Sequence, residues 1–540
     1  MIGPATSGSS SPGKWRNGGG PTRIIYSRGV TSQLPARHSA ARHPSRRAIG
    51  RGPSSGLSAP VRSSLFLGVL GFLISFAGAW IPSPWLDEAA TAHIISYPFA
   101  DMAVLWQQTD AVFAPYYVFM SAWVSVTGVT PLWLRMPSLL AVGAGTAAMA
   151  AAGRSVGGRR AQLFYAAAFA LLPRMTAMGI EARPYALSSM FMAFALLAVV
   201  KLRERSSIGY WLLLGASMIG AVGAHLFAAL PVVGLVAVAL ILFRGRSRLA
   251  LLVTSVVAGL VCLPLALAAL PQQSQVSWIG DGGYNIADQA LVESWFTSRW
   301  NIEPAGSEVA LQYVAVAVAG IAALTIALAL ITGCPLPKDR LLVAAVPPAL
   351  AVAVLWGISI AHEPMLLGRY FTSSSPFVAM LLAECIMVLR PYAKQILASL
   401  LVAGCIVLIV AQRQPYAKIP GYDYSFIASA LHDQAENGDG LLIEPGVGSI
   451  DSARNAVDLY PQEFDRLVDI AQPERPPLGW VFASDPPVVD IAERAVPPRV
   501  WLVTKNEQDS AYAAQLNNLG FRPTSSSSGP AHTVTLWTQP

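Results

Sequence analysis

Two adjacent carboxylates, Asp87 and Glu88, follow the first long apolar segment of the chain, in the run Trp85-Leu86-Asp87-Glu88. Charged side chains at the mouth of a membrane span are costly to place and usually serve a function. A carboxylate there can act as a general base that takes the proton of a hydroxyl as the hydroxyl attacks. We predict Asp87 as the base, with Glu88 as a supporting acid or the ligand of a divalent cation. A structural role at the start of an Ala-rich helix is the alternative.

Three arginines, Arg135, Arg183 and Arg369, each lie at the end of a predicted span, on the same side as Asp87. A planar guanidinium group binds phosphate through two parallel hydrogen bonds. Together, the three would hold a lipid-linked phosphate and stabilise its charge as it leaves. The alternative is that they anchor helix ends to lipid headgroups.

Further candidates are polar and aromatic residues on that same side, which suit contact with sugar rings and hydroxyl groups. They are Asp110, Tyr116, Glu181, Tyr185, His225, Trp278 and Tyr370. Asp110 could equally cap a helix, and His225 could equally be a structural hydrogen-bonding group between helices. Trp278 could equally anchor a loop at the membrane interface.

The composition explains why these few charges stand out. The chain has 540 residues, of which 54% are hydrophobic and 12% charged, and its mean hydropathy is +0.49. Soluble proteins carry roughly 25% charged residues. The sequence therefore predicts an α-helical integral membrane protein with about eleven spans of the length that a bilayer requires. The predicted spans are 64–81, 134–152, 161–180, 186–200, 210–227, 228–243, 249–270, 309–331, 341–360, 373–389 and 396–410.

The distribution of Lys and Arg predicts the orientation in the plasma membrane. Alternate loops are basic, which places them and the N-terminus in the cytoplasm. Much of the net charge of +7 lies in residues 1–62, predicted as a disordered tail that contacts anionic lipid and not nucleic acid. For the alternation to hold, segments 98–107 and 115–127 must be interfacial helices and not spans. The carboxylates and the C-terminal region are then extracytoplasmic.

Residues 412–540 are far more polar than the transmembrane region, 63–411, and they predict a small α/β domain. Helical periodicity covers 424–437 and 511–519, with Gly520 suited to ending the second helix. Segments 440–444, 500–505 and 532–537 have the composition of strands.

Several runs follow one another along the chain: Asp87-Glu88, Asp110 followed by Pro115-Tyr116-Tyr117, Leu134-Arg135-Met136-Pro137-Ser138, Glu181-Ala182-Arg183-Pro184-Tyr185 and Gly368-Arg369-Tyr370. In this order they resemble the polytopic C-type glycosyltransferases. The resemblance is closest to the branch that includes protein-mannosyltransferase-like and aminoarabinose-transferase-like enzymes, and it covers roughly residues 81–376. One departure is Val112-Phe113-Ala114-Pro115, where many relatives have His-Pro-Pro.

The resemblance implies a C-type fold and a polyprenyl-phosphate sugar donor that is used on the outer face of the membrane. Asp87 would be the base and Glu88 would assist it. The arginines would contact the donor phosphate, and the anomeric centre would be inverted. The acceptor would be an envelope glycan, glycolipid or protein. An Ala-, Arg- and Pro-rich composition that looks actinobacterial favours mannose transfer, with arabinofuranose as the alternative.

Two other classes of function stay open on the sequence alone. A transporter or lipid flippase usually has ionisable residues and broken helices near the middle of the membrane, whereas the predicted spans here are largely uncharged. A non-catalytic envelope subunit would not depend on Asp87 or Arg183. The predicted cytosolic segments contain no glycine-rich loop for nucleotide phosphates, which weakens an activity based on ATP or a soluble nucleotide sugar.

Overall fold

The computed structural model describes residues 58–281, 284–297, 307–332, 336–362, 364–418, 422–446, 452–506 and 509–540. The predicted basic tail, 1–62, lies outside these ranges except for residues 58–62. Of these, Ser58 precedes the first helix, Ala59–Phe76, and residues 59–62 form its first turn.

Most of the described chain up to residue 418 is helical. The helices before the first break are α1 (Ala59–Phe76), α2 (Leu86–Ile95), α3 (Phe99–Leu105), α4 (Ala114–Thr127), α5 (Pro131–Ala170), α6 (Pro173–Gly179), α7 (Tyr185–Glu204), α8 (Ile208–Ala224), α9 (Ala229–Leu242), α10 (Arg246–Ala269) and α11 (Trp278–Asp281). After it come α12 (Ile286–Asp288), α13 (Ser294–Phe296), α14 (Ser307–Ile331), α15 (Lys338–Ala361), α16 (Ser375–Val388) and α17 (Pro391–Ala411).

Helix α5 contains a reversal of the chain at Gly157 and Gly158. Gly158 has a φ of 67°, a conformation that a side chain would strain. A Cβ atom at Gly153 would lie 2.5 Å from the carbonyl oxygen of Ala161, so the two halves of α5 pack closely beside the turn. The predicted spans 134–152 and 161–180 are therefore the two arms of a hairpin.

Eight helical segments of the described chain are long and apolar enough to cross a bilayer, which makes this a multi-pass membrane protein. They include α5 as one segment, although it contains two predicted spans. Predicted spans 210–227 and 228–243 fall on shorter apolar helices, Ile208–Ala224 and Leu226–Leu242. The helical class is confirmed, and the predicted number of about eleven spans stays a prediction.

The basic loops that were predicted to share one side do meet at one end of the bundle. Arg203 pairs with Asp339 at 2.6 Å and Arg340 pairs with Glu384 at 3.4 Å, while Arg160 donates to the carbonyl oxygen of Met387 at 2.8 Å. Asp87 and its surrounding loops lie at the opposite end, because α7 runs from Tyr185 in the site to Glu204 among the basic residues.

The C-terminal region forms the predicted α/β domain. Its helices are α18 (Tyr424–His432), α19 (Asn455–Leu459), α20 (Pro461–Phe464) and α21 (Ala511–Asn518). Its strands are β1 (Gly440–Ile443), β2 (Val468–Asp469), β3 (Arg499–Lys505), β4 (Arg522–Ser528) and β5 (His532–Thr538), in the order β2-β1-β3-β5-β4. β1 is parallel to β2 and β3, and β5 is antiparallel to β3 and β4. The three predicted strands are confirmed, and β2 and β4 were not predicted.

The domain packs directly on α2, the helix that carries Asp87 and Glu88. A continuous hydrophobic cluster joins Ile94 of α2 and Met120 of α4 to Ile427 and Trp501 of the domain. The ring of His93 lies 2.6 Å from a carboxylate oxygen of Asp458 in α19. These contacts fix the orientation of α2 from the domain side.

Candidate active site

Asp87 lies between two arginines that come from distant segments. Its Oδ1 is 3.2 Å from Nη2 of Arg183, which precedes α7, and its Oδ2 is 3.0 Å from Nη1 of Arg369, which precedes α16. The Asp87 side chain is 13% exposed. Asp87 is also in the first turn of α2, where the helix dipole favours a negative charge.

Glu88 has a separate set of partners, deeper in the protein. Its carboxylate accepts two hydrogen bonds from Arg135, at 2.7 and 2.9 Å, and one from Lys418 at 2.6 Å. The backbone N–H of Ala182 also donates to it, at 3.2 Å. The side chains of Glu88 and Arg135 are 1% and 0% exposed. This cluster links α2, α5, the loop before α7 and the entry to the C-terminal domain.

All three nitrogens of Arg135 already donate to protein acceptors, and these contacts use four of its five N–H groups. Its Nε and Nη2 donate to Glu88, and its Nη1 donates to the carbonyl oxygens of Ala79 and Pro82 at 2.7 and 2.9 Å. The geometry therefore favours a positioning role for Arg135 over the predicted phosphate contact. The same contacts favour a positioning role for Glu88.

Arg183 is oriented by a chain of polar groups that starts at Asp110. Tyr117 donates its hydroxyl proton to Asp110 at 2.7 Å and accepts a hydrogen bond from Nη1 of Arg183 at 3.0 Å. The guanidinium carbon of Arg183 lies 4.8 Å from the ring centroid of Phe113, a cation–π distance. Asp110 has a φ of 58°, a left-handed conformation that is unusual outside glycine.

Arg369 lies near the rings of two tryptophans and near an aromatic cluster. Its guanidinium carbon is 5.5 Å from the ring centroid of Trp85 and 5.7 Å from that of Trp278. Behind it, the ring of His225 packs against Tyr185 at 5.1 Å and Tyr370 at 5.4 Å. The loop that contains Trp278 therefore reaches the site, whereas His225 is packed among aromatic rings.

Several buried polar atoms around Asp87 have no hydrogen-bond partner within the described chain. They are Trp85 Nε1, Asp87 Oδ2, Tyr116 Oη, Glu181 Oε1, Arg183 Nε and Arg369 Nε. Asp87 Oδ2 is ion-paired with Arg369, but at an angle that makes no hydrogen bond. Buried polar atoms are nearly always paired, and a cluster of unpaired ones at one place suggests a site that a polar ligand completes.

The carboxylates of the site have opposed pKa shifts. Burial alone would raise the pKa of Asp87, but Arg369 and Arg183 lower it below its ordinary value. In the same way Arg135 and Lys418 overcome burial and lower the pKa of Glu88 to about 2. Burial raises the pKa of Glu181 to about 7, although Lys418 opposes that shift. Such divergence between neighbouring carboxyl groups is common at acid–base sites.

We expect Glu181→Gln to stabilise the protein at pH 8 and to leave its stability nearly unchanged at pH 4. The pKa of Glu181 is raised from 4.5 to about 7 on folding, so folding favours the protonated form. Its contribution is fully present below pH 4.5 and is lost as the pH rises through about 7. Thermal unfolding of both proteins at the two pH values measures this. An equal effect at both would contradict the shift.

The predicted divalent cation does not fit the observed surroundings of the acid pair. Asp87 faces two guanidinium groups, and Glu88 faces Arg135 and Lys418. Among the described residues, no three His, Cys, Asp or Glu side chains form a group that could hold a metal ion. We therefore derive no step through a cation.

Sequence reasoning missed three contributors to the site. Lys418 lies after the last span and reaches Glu88 only in the folded chain, although a lone lysine at that boundary was a signal. Tyr117 and Trp85 stood within the quoted motifs but were given no role. The residues that the structure does bring around Asp87 are Arg183, Arg369, Asp110, Tyr116, Glu181, Tyr185, Trp278 and Tyr370.

Comparison with known proteins found no matching family model and no matching curated sequence. Among solved structures, the chain is similar to ArnT from Cupriavidus metallidurans, in its apo state and bound to undecaprenyl phosphate. Each has 12% identity and a TM-score of 0.47, covering 89% of this chain and 98% of that one. The archaeal oligosaccharyltransferase AglB from Archaeoglobus fulgidus, in complex with an inhibitory peptide and a dolichol-phosphate, has 12% identity and a TM-score of 0.40, covering 70% and 62%. At these values the similarities assign no role to a residue of this chain.

Proposed function

We propose that this protein is a membrane glycosyltransferase that moves a sugar, with mannose favoured, from a polyprenyl-phosphate donor to an envelope glycan, glycolipid or protein. The observation that carries the proposal is a single carboxylate, Asp87, held between Arg183 and Arg369 and surrounded by buried polar atoms without partners. Arabinofuranose is the alternative sugar. The site would face the extracytoplasmic side, as the basic loops at the other end of the bundle favour.

The arginines and the carboxylate have complementary tasks in this reaction. Arg183 and Arg369 bind the donor phosphate and stabilise the charge that it gains as it leaves. Asp87 accepts the proton of the acceptor hydroxyl as that oxygen attacks the anomeric carbon from the face opposite the phosphate. The polyprenyl phosphate leaves as an anion, so no general acid is required. Trp278 and Tyr116 would contact the sugar.

The remaining charged residues position these groups. Arg135 and Lys418 hold Glu88, which fixes the first turn of α2 and with it Asp87. Asp110 acts on Arg183 through Tyr117.

The direct test offers labelled polyprenyl-phosphate mannose and polyprenyl-phosphate arabinofuranose, in parallel, to membranes that contain the protein and a crude envelope acceptor pool. Transfer from one donor would support the proposal and identify the sugar. If correctly folded protein transfers sugar from neither compound, neither is its donor. Movement of the intact lipid across the bilayer without transfer would support a flippase.

Arg183→Ala should raise the donor KM by about tenfold to a hundredfold, because a hydrogen bond to a charged group contributes about 1.5–3 kcal/mol. The acceptor KM should change much less. Arg203→Ala is the matched control, since Arg203 makes an ion pair with Asp339 at the opposite end of the bundle. Steady-state transfer at varied donor concentration measures the effect. An unchanged donor KM in Arg183→Ala would reject the phosphate contact.

A further inference from the structure

We infer that the carboxylate of Asp87 and the donor phosphate compete for the same two arginines, Arg183 and Arg369, so that phosphate binding is what releases Asp87 to act as a base. The inference rests on the proposed function and adds a competition between two anions for the same pair of arginines.

The contacts of Asp87 with the arginines are incomplete, as expected of a group that can be displaced. An arginine commonly engages a carboxylate through two parallel hydrogen bonds, as Arg135 engages Glu88. Arg183 and Arg369 instead each approach a different oxygen of Asp87 through one terminal nitrogen, at 3.2 and 3.0 Å. Both leave Nε without a hydrogen-bond partner within the described chain. One carboxylate thus spans two guanidinium groups and satisfies neither.

The charge balance of the pair favours a second anion. Two guanidinium groups and one carboxylate leave one positive charge. The phosphodiester of a polyprenyl-phosphate sugar carries one negative charge, which would neutralise that positive charge. It also has two free oxygens, which could accept hydrogen bonds from the two unused Nε donors. Glu88 cannot be the displaced group, since Arg135 and Lys418 retain it.

The carboxylate and the phosphate then share the two arginines, and binding of either anion weakens the binding of the other. The cationic groups around Asp87 are those of Arg183, Arg369 and Lys418. The carboxyl groups around it are those of Asp110 and Glu181. When the phosphate draws Arg183 and Arg369 towards itself, Asp87 loses its nearest cations and gains an anion as neighbour, and its affinity for a proton increases. Asp87 is therefore a poor base until the donor is bound.

The proton and electrons balance in the step that follows. The acceptor oxygen forms a bond to the anomeric carbon while its proton passes to Asp87. The bond between that carbon and the phosphate oxygen breaks, and its electron pair stays on the polyprenyl phosphate. The arginines remain with the product phosphate, whose added charge they stabilise. Release of that product returns Asp87, after loss of its proton, to the arginines.

The test is binding of a polyprenyl phosphate without sugar, measured by titration calorimetry on the purified full-length protein in detergent. Asp87→Asn should bind it about tenfold or more tightly than wild type, because a neutral amide competes less well than a carboxylate for the two guanidinium groups. Asp101→Asn is the control, because it removes the same charge from an exposed position on α3, in the segment between α1 and α5 that also contains Asp87. It should bind like wild type.

Equal or weaker binding by Asp87→Asn would overturn the inference and leave the proposed function standing. Absence of binding in all three proteins would overturn both. If Asp87→Asn fails to fold, infrared difference spectra of wild type with labelled aspartate carboxylates replace it. Added polyprenyl phosphate should then shift a carboxylate band, and an unchanged spectrum would also overturn the inference.

Discussion

Asp87→Asn should lower the rate of sugar transfer by about a hundredfold or more, because general-base assistance typically contributes about 10²–10⁴ in rate. Asparagine has nearly the same shape but cannot take a proton. The loss should appear in kcat, whereas the donor KM should fall, since the arginines become free for the phosphate. Single-turnover transfer with saturating donor measures the effect.

The opposite responses of Asp87→Asn and Arg183→Ala separate the two roles. Loss of the base lowers turnover with donor binding retained, whereas loss of the arginine weakens donor binding. Asp101→Asn again serves as the charge control. Thermal unfolding must show that Asp87→Asn is folded. Normal turnover in that folded variant would remove Asp87 from the chemistry and would favour a non-catalytic subunit or a transporter.

The helical part of the fold could be predicted because a bilayer imposes a simple length rule on apolar segments. The apolar runs at 309–331 and 186–200 fall on α14 and α7. Position at a span end was also enough to place Arg183 and Arg369 near Asp87. Two strands escaped prediction for physical reasons. β2 has only two residues, and β4 is an edge strand that pairs with β5 and ends in four serines, so it has no alternation of apolar and polar side chains.

The different environments of Asp87 and Glu88 could not be predicted from their adjacency. Consecutive residues on a helix point in directions roughly a quarter-turn apart and do not face the same neighbours. Asp87 consequently meets Arg183 and Arg369, while Glu88 points into the protein towards Arg135 and Lys418. Lys418 is 330 positions away in sequence, so the contact exists only in the folded chain. Arg135 looked equivalent to the other arginines because its burial is a tertiary property.

Arg135→Met should lower the free energy of unfolding by about 3–5 kcal/mol, the usual effect of removing one partner from a buried ion pair. Glu88 would keep Lys418, but it would lose two hydrogen bonds in a region where its side chain is 1% exposed. The carbonyl oxygens of Ala79 and Pro82 would also lose their donor. Unfolding by denaturant in detergent measures the change.

The matched control is Arg203→Met, which removes an arginine from a pair with Asp339 where both side chains are more than a third exposed to solvent. Exposed pairs contribute about 0–1 kcal/mol, so this variant should unfold almost like wild type. Adding Glu88→Gln to Arg135→Met should not recover the lost stability, because the buried Lys418 would then be left without its carboxylate partner. A small effect of Arg135→Met, equal to that of the control, would show that Lys418 alone retains Glu88. It would also leave Arg135 free to turn towards a phosphate, which the observed contacts argue against.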